Sequence, residues 1–230
     1  MKQVIKIAEP TSLLQHRAKK HSNFDNIPLE TKEELRQSLL SEQGHICCYC
    51  MKRIPEKVEK EGRVSYDMKV EHFLCQDTHS ELQLTYSNLH GACTGNEGKP
   101  KKLQTCDTKK ANFELTVNPT SSRPNYEALF KYNPEGEISS INDNSEIDRQ
   151  LNDILNLNMQ TLKDGRSEIY IEVQEKVRAE SKRFKNDKAG FIRQLEQERN
   201  KWLNRVDNKY RPYCMVAVYY LGKKIRQNQP

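Results

Sequence analysis

Apolar residues recur at helical spacing over most of the chain and at strand spacing over one short stretch. Ile147, Leu151, Ile154, Leu155 and Leu162 keep the three-to-four-residue period, which predicts a helix running up to Gly165. Tyr170, Val173 and Val177 mark a second helix, and Phe191, Leu195, Trp202 and Val206 a third. Pro212, suited to a first helical position, opens a last and more apolar helix from Tyr213 to Ile225. Nearer the N-terminus, Val4, Ile5 and Ile7 predict a short strand, followed by a basic helix from about Pro10. Thr31-x-x-Glu34 has the form of a capping box ahead of the stripe Leu35, Leu39 and Leu40, and Gly44 suits the stop after that helix. Arg63 to Glu71 instead alternates apolar and polar residues, a half-buried strand that delivers Glu71 and His72 to its far end. A long loop is expected from Leu82 to Leu103, a short helix from Asp107 to Phe113, and a hairpin from Ala128 to Ser139 around Asn133-Pro134-Glu135-Gly136.

The predicted class is α+β and mostly helical. An N-terminal strand and helices (1–45) precede a cysteine- and turn-rich stretch (46–120), then a hairpin and a C-terminal helical region (121–230). No repeat or low-complexity linker divides them, so one compact unit is expected. Hydrophobic content of 35% against 30% charged residues favours solvated helices around a limited core. The net charge of +6 permits a polyanionic partner without requiring one. No run of 18 apolar residues occurs, so no membrane-spanning helix is expected, and the polar opening lacks signal-peptide character. A cytoplasmic protein with reduced thiols is the simplest expectation, in which clustered cysteines serve metals before disulfides.

Seven cysteines then change the picture. Cys47-x-x-Cys50 has the spacing that places two thiolates on one zinc ion, and Cys93 with Cys106 could complete a tetrahedral structural Zn²⁺ site. Twelve residues separate Cys93 from Cys106, so a loop must return to the metal. Cys48, Cys75 and Cys214 have no partner at such spacing and are expected to be small buried hydrophobes.

Between the two pairs lies Val70-Glu71-His72-Phe73. Phosphodiester hydrolysis needs a general base for water and a cation for the charge that develops on phosphate. His72 fits the base. Glu71 and Asp107 are candidate ligands for Mg²⁺ or Mn²⁺, hard ions that prefer carboxylate oxygens, although Asp107 could equally be an N-cap. Asn88 is suited to bond the backbone or His72 and to keep loop and strand in register. His79 and His90 are rivals to His72. Lys101 and Lys102, with Lys109 and Lys110 one turn into the short helix, are candidate phosphate contacts. A non-catalytic zinc module that binds nucleic acid or a partner protein is the competing expectation.

Glu71-His72, Asn88-Leu89 and Cys106-Asp107-x-x-Lys110, preceded by Cys47-x-x-Cys50, resemble the zinc-stapled HNH (ββα-metal) endonucleases. Leu39-Leu40-x-x-Gln43, Tyr49, Tyr86-x-Asn88, Leu155-Asn156-Leu157-Asn158 and Tyr210-Arg211-Pro212-Tyr213 extend the likeness to the retron- and Septu-associated PtuB family over nearly the whole chain. That resemblance implies a ββα-metal core and His72 as activator of water. It also implies metal on Glu71 and Asp107, and Asn88 in support of His72. The expected role is an antiphage nuclease acting on DNA, or on tRNA, with a PtuA-like ABC-type ATPase as partner. Two positions depart from the family pattern: Glu71 stands where Asp is commoner, and Asp107 where His or Asn is usual.

Overall fold

The computed structural model describes residues 1–229 apart from 57, 61, 62 and 66, with only the backbone course given for 58–60 and 63–65. Its helices are α1 (Thr11–Arg17), α2 (Leu29–Glu42), α3 (Cys106–Lys110), α4 (Ser145–Arg149), α5 (Gln160–Arg183), α6 (Lys188–Leu203) and α7 (Cys214–Asn228). Strands form three antiparallel pairs among the described residues. These are β1 (Val58–Lys60) with β2 (Arg63–Ser65), β3 (Met68–His72) with β4 (Leu89–Cys93), and β5 (Phe130–Tyr132) with β6 (Ile138–Ser140). The class is α+β with small sheets, as expected. A cluster of buried apolar side chains runs from Met1 and Leu13 through Leu39, Tyr126 and Leu157 to Trp202 and Leu221.

Several boundaries differ from the expected ones. The segment of Val4, Ile5 and Ile7 is not a strand: Val4 is buried and donates to the Pro119 carbonyl, while both isoleucines face solvent. Helix α2 begins two residues before Thr31, behind Pro28, so Thr31 is a buried residue of the first turn rather than its cap. Its end is as expected. Gly44 at φ +57°, with His45 N–H on Leu40 O and Gly44 N–H on Ser41 O, closes a Schellman motif.

The expected strand from Arg63 is two strands, with Asp67 at the bend between β2 and β3. Tyr66 lies outside the described residues. The long loop from Leu82 contains β4, whose Leu89, His90, Gly91 and Ala92 are buried on both faces and so show no alternation. Register pairs Glu71 with His90 and His72 with Leu89.

In the C-terminal region the expected 147–165 helix breaks. Leu155 N–H reaches Gln150 O in a π-type turn and Asn156 turns left-handed at φ +50°. Helix α5 then starts at Gln160 and passes straight through Gly165. A Cβ at Gly165 would lie 2.6 Å from the Tyr213 ring, so this glycine permits close packing and does not stop the helix. Tyr213 is itself the left-handed N-cap of α7, and Pro212 stands outside it. Trp202 is fully buried where α6 packs on α7 and α5, and Val206 is exposed beyond the helix end.

Candidate active site and metal centre

A four-cysteine frame that could hold a metal ion such as zinc is assembled from three places in the chain. Just past α2, Ile46 and Arg53 bridge, Cys47 N–H donates to Lys52 O and Met51 N–H to Cys47 O. This tight knuckle turns the Cys47 and Cys50 side chains to one side, with Met51 left-handed at φ +63°. Cys93 ends β4. Cys106 begins α3, and the intervening loop is drawn back by Thr105 N–H on Gly95 O and the Thr108 hydroxyl on Thr94 O. The helix break at 155–156 completes the seat. The Leu155 carbonyl accepts from Cys106 N–H, and the Asn156 amide donates to the carbonyls of Lys102 and Gln104.

The four sulfurs all lie within 4.8 Å of one another. Cys50 and Cys93 are 3.8 Å apart, and Cys93 and Cys106 3.7 Å. A tetrahedron with Zn–S bonds of ~2.3 Å has edges of about 3.8 Å, so four soft ligands are arranged at the spacing zinc needs. Burial opposes charge on Cys47, but hydrogen bonds from Cys106, Cys48, Cys50 and Cys93 outweigh it and hold this thiol well below its ordinary pKa. The Cys50 and Cys106 thiols are pushed up. A divalent cation bound by the four sulfurs would favour their thiolate form. The Lys52 amide donates to Cys50 Sγ at 3.4 Å, a contact that steadies a metal-bound sulfur. Cys48, Cys75 and Cys214 are buried free thiols, as expected.

Beside this frame β3, β4 and α3 form a strand–strand–helix unit. Glu71, His72 and Asp107 line one open cleft of about 280 Å³, shared with Phe24, Cys75, Gln76, Asp77 and Asn112. Glu71 is 1% exposed and accepts from the Tyr49 hydroxyl at 2.7 Å and from Lys110 Nζ at 2.8 Å, both on Oε1. Burial, then the adjacent Asp107 carboxyl, raises its pKa well above the usual range, with Lys110 opposing. Asp107 also meets Lys69 at 3.3 Å. Two carboxyls this close in a largely buried site form an oxygen pair that a hard divalent cation would relieve. Asp107 is not the N-cap of α3, which is Thr105.

His72 stands at the strand end with Nε2 3.0 Å from the Gln83 carbonyl and its ring edge-on to Phe24 at 4.5 Å. Burial lowers its pKa, against an opposing pull from the Gln83 carbonyl. Asn88 contacts backbone rather than His72. It accepts from Leu74 N–H at 2.8 Å and donates to Leu74 O and Leu82 O, which ties the chain after β3 to the turn before β4.

The other residues singled out in the sequence fall elsewhere. His79 pairs with Glu114 at 3.0 Å and Glu81 at 3.6 Å, outside the cleft. His90 is fully buried in β4, and burial followed by Lys6 drives its pKa well below normal. Lys110, expected to meet phosphate, is 1% exposed and donates to both Glu71 and the His72 carbonyl, so it is an internal strut and not a free cation. Lys101 and Lys102 are exposed, and Lys109 is half-buried with Nζ on Lys101 O. Sequence reasoning did not find Tyr49, Gln83 or Phe24 as neighbours of the site. Only Tyr49 carried a signal, by its place inside the Cys47-x-x-Cys50 knuckle.

No helix among the described residues is long and apolar enough to cross a membrane. No protein-family model matches the chain. It is similar to the Septu protein PtuB of Bacillus thuringiensis, with 31% identity over 131 residues, or 56% of this chain and 46% of that protein. The chain therefore spans somewhat under half the length of this curated relative, to which it is a distant homologue.

Proposed function

We propose that the chain is a metal-dependent endonuclease of the HNH kind that hydrolyses nucleic-acid phosphodiesters. We place it in a Septu-type antiphage defence system alongside a PtuA-like ABC-type ATPase. The observation that carries the chemistry is the convergence of Glu71, His72 and Asp107 on one cleft of a strand–strand–helix unit, next to a four-cysteine zinc frame. The likeness to PtuB supports the defence setting and the ATPase partner.

Mg²⁺ or Mn²⁺, when bound, supplies positive charge to the phosphate and the departing 3′ oxygen, leaving 5′-phosphate ends. Glu71 and Asp107 would hold it. The two donors on Glu71 Oε1 hold this carboxyl beside Asp107, where the pair would bind the ion. His72 directs Nε2–H to the Gln83 carbonyl, which leaves Nδ1 as the lone-pair nitrogen that takes a proton from water. Burial lowers its pKa, which favours the neutral imidazole able to accept a proton. Asn88 fixes the backbone on which His72 is presented. Exposed Lys101 and Lys102 steer the phosphate backbone, contacts that confer little sequence preference.

The buried Lys110–Glu71 ion pair favours a second reading, in which Glu71 is purely structural and the frame a non-catalytic binding module. His72→Ala separates the two. With Mg²⁺ or Mn²⁺ and plasmid DNA or tRNA as substrate, the variant should cut roughly 10²–10⁴-fold more slowly. Its zinc content and melting temperature should equal those of the wild type. Equal cleavage by both proteins rules the enzyme out.

A further inference from the structure

We propose that Tyr49 is a positioning residue for the metal-binding carboxylate, through which the zinc knuckle fixes the reaction site; this rests on the nuclease reading above. Tyr49 sits between the two zinc ligands of the knuckle and is 1% exposed. Cys48 N–H donates to Gly91 O at 3.1 Å, which pins the knuckle to the middle of β4. The Gln43 side-chain amide seals the same junction, with Gly91 N–H on its Oε1 at 2.7 Å and its Nε2 on Gly91 O at 2.8 Å. Strand β4 in turn holds β3 in the register that sets Glu71 opposite His90. The Tyr49 hydroxyl thus reaches Glu71 from a turn whose position is set by zinc on one side and by the sheet on the other.

The hydroxyl donates to Glu71 Oε1 at 2.7 Å, the same oxygen that Lys110 contacts at 2.8 Å. The Asp107 carboxyl lies against the same Glu71 carboxyl. A carboxylate gripped through one oxygen by two donors from different elements cannot rotate freely, so Glu71 is held beside Asp107, the second carboxyl that would bind the ion. Lys110 comes from the helix that Cys106 begins, so both donors hang from zinc-ligand segments. In this role Tyr49 transfers no proton and contacts no substrate. Its contribution is the orientation of a metal ligand, a role in which loss of the contact typically costs 10–100-fold in metal affinity or activity.

The test uses the zinc-loaded full chain and Mn²⁺ binding followed by electron paramagnetic resonance, with Glu71→Gln as the control for the site itself. Tyr49→Phe should keep wild-type zinc and melting temperature, weaken Mn²⁺ binding roughly tenfold, and recover the wild-type cleavage rate when Mn²⁺ is raised by the same factor. Unchanged Mn²⁺ affinity in Tyr49→Phe overturns the proposal. So does loss of zinc from that variant, which assigns Tyr49 to the staple alone. Mn²⁺ binding indifferent to Glu71→Gln overturns the metal site, and the positioning role with it.

Discussion

The cysteine-rich stretch 46–120 and the helical stretch 145–228 are built on opposite principles. In the first, elements are three to five residues long, and position comes from four clustered cysteines, a side-chain amide bonded to Gly91, and a buried ion pair. In the second, helices of 24, 16 and 15 residues are held by apolar faces meeting around Trp202, Val173, Leu195 and Leu221. Short strands cannot bury enough surface to fix charged groups to a few tenths of an ångström, whereas metal bonds can. Long amphipathic helices need no such aid. The halves still depend on one another, because Leu155 and Asn156 seat Cys106 and its loop, and Tyr213 N–H donates to Met51 O of the knuckle.

The largest expected effect is in the zinc frame. Structural zinc contributes ~10–16 kcal/mol in small domains, so Cys47→Ser should lose the metal and the hydrogen-exchange protection of β3 and β4. Most of the α5–α7 helical signal in circular dichroism should remain. Protection of β3 and β4 that survives in this variant breaks the contrast between the halves. Trp202→Ala is the mirror experiment, with an expected cost of about 3–5 kcal/mol in denaturant unfolding while zinc stays bound. Release of zinc by that variant would show that the two halves unfold together.

Acid offers a gentler probe. His90 and His72 have lowered pKa values in the fold, chiefly by burial, so the unfolded chain binds more protons below the ordinary imidazole pKa of about 6.5. Stability should therefore be fully present above about pH 6.5 and decline as pH falls below it, by up to ~1.4 kcal/mol per pH unit for each histidine. His90→Leu should flatten the decline measured by urea titration between pH 6.5 and 5. An unchanged slope would show that His90 is protonated without penalty. The smallest effect is reserved for the exposed rim. Lys101→Ala with Lys102→Ala should lower the salt dependence of nucleic-acid binding by roughly 0.7–0.9 per lost phosphate contact, without changing stability.

Much of the site was legible in residue types and spacing. A Cys-x-x-Cys turn, a Glu-His step after an alternating strand, and a glycine ending α2 each carry their own local geometry. Strand β4 was not legible, because a strand buried on both faces loses its period of two. Lys110 was misjudged because a lysine on a short helix looks like a solvated cation until Glu71 is set against it. Gly165 looked like a helix stop because the ring that needs its missing side chain comes from residue 213.

By itself the sequence determined which groups exist and which local turns can form: thiolates in a tight pair, carboxylate beside imidazole on a strand end, and helices with one apolar face. These follow from backbone sterics and side-chain chemistry within a few residues. Only the tertiary structure decided which groups meet. It brought Cys106 back to Cys93 through a loop anchored on a broken helix, turned Tyr49 and Lys110 onto one oxygen of Glu71, and set Asp107 beside that carboxyl. Contacts between residues far apart in the chain depend on burial and closure of the whole molecule, which no local window of sequence contains.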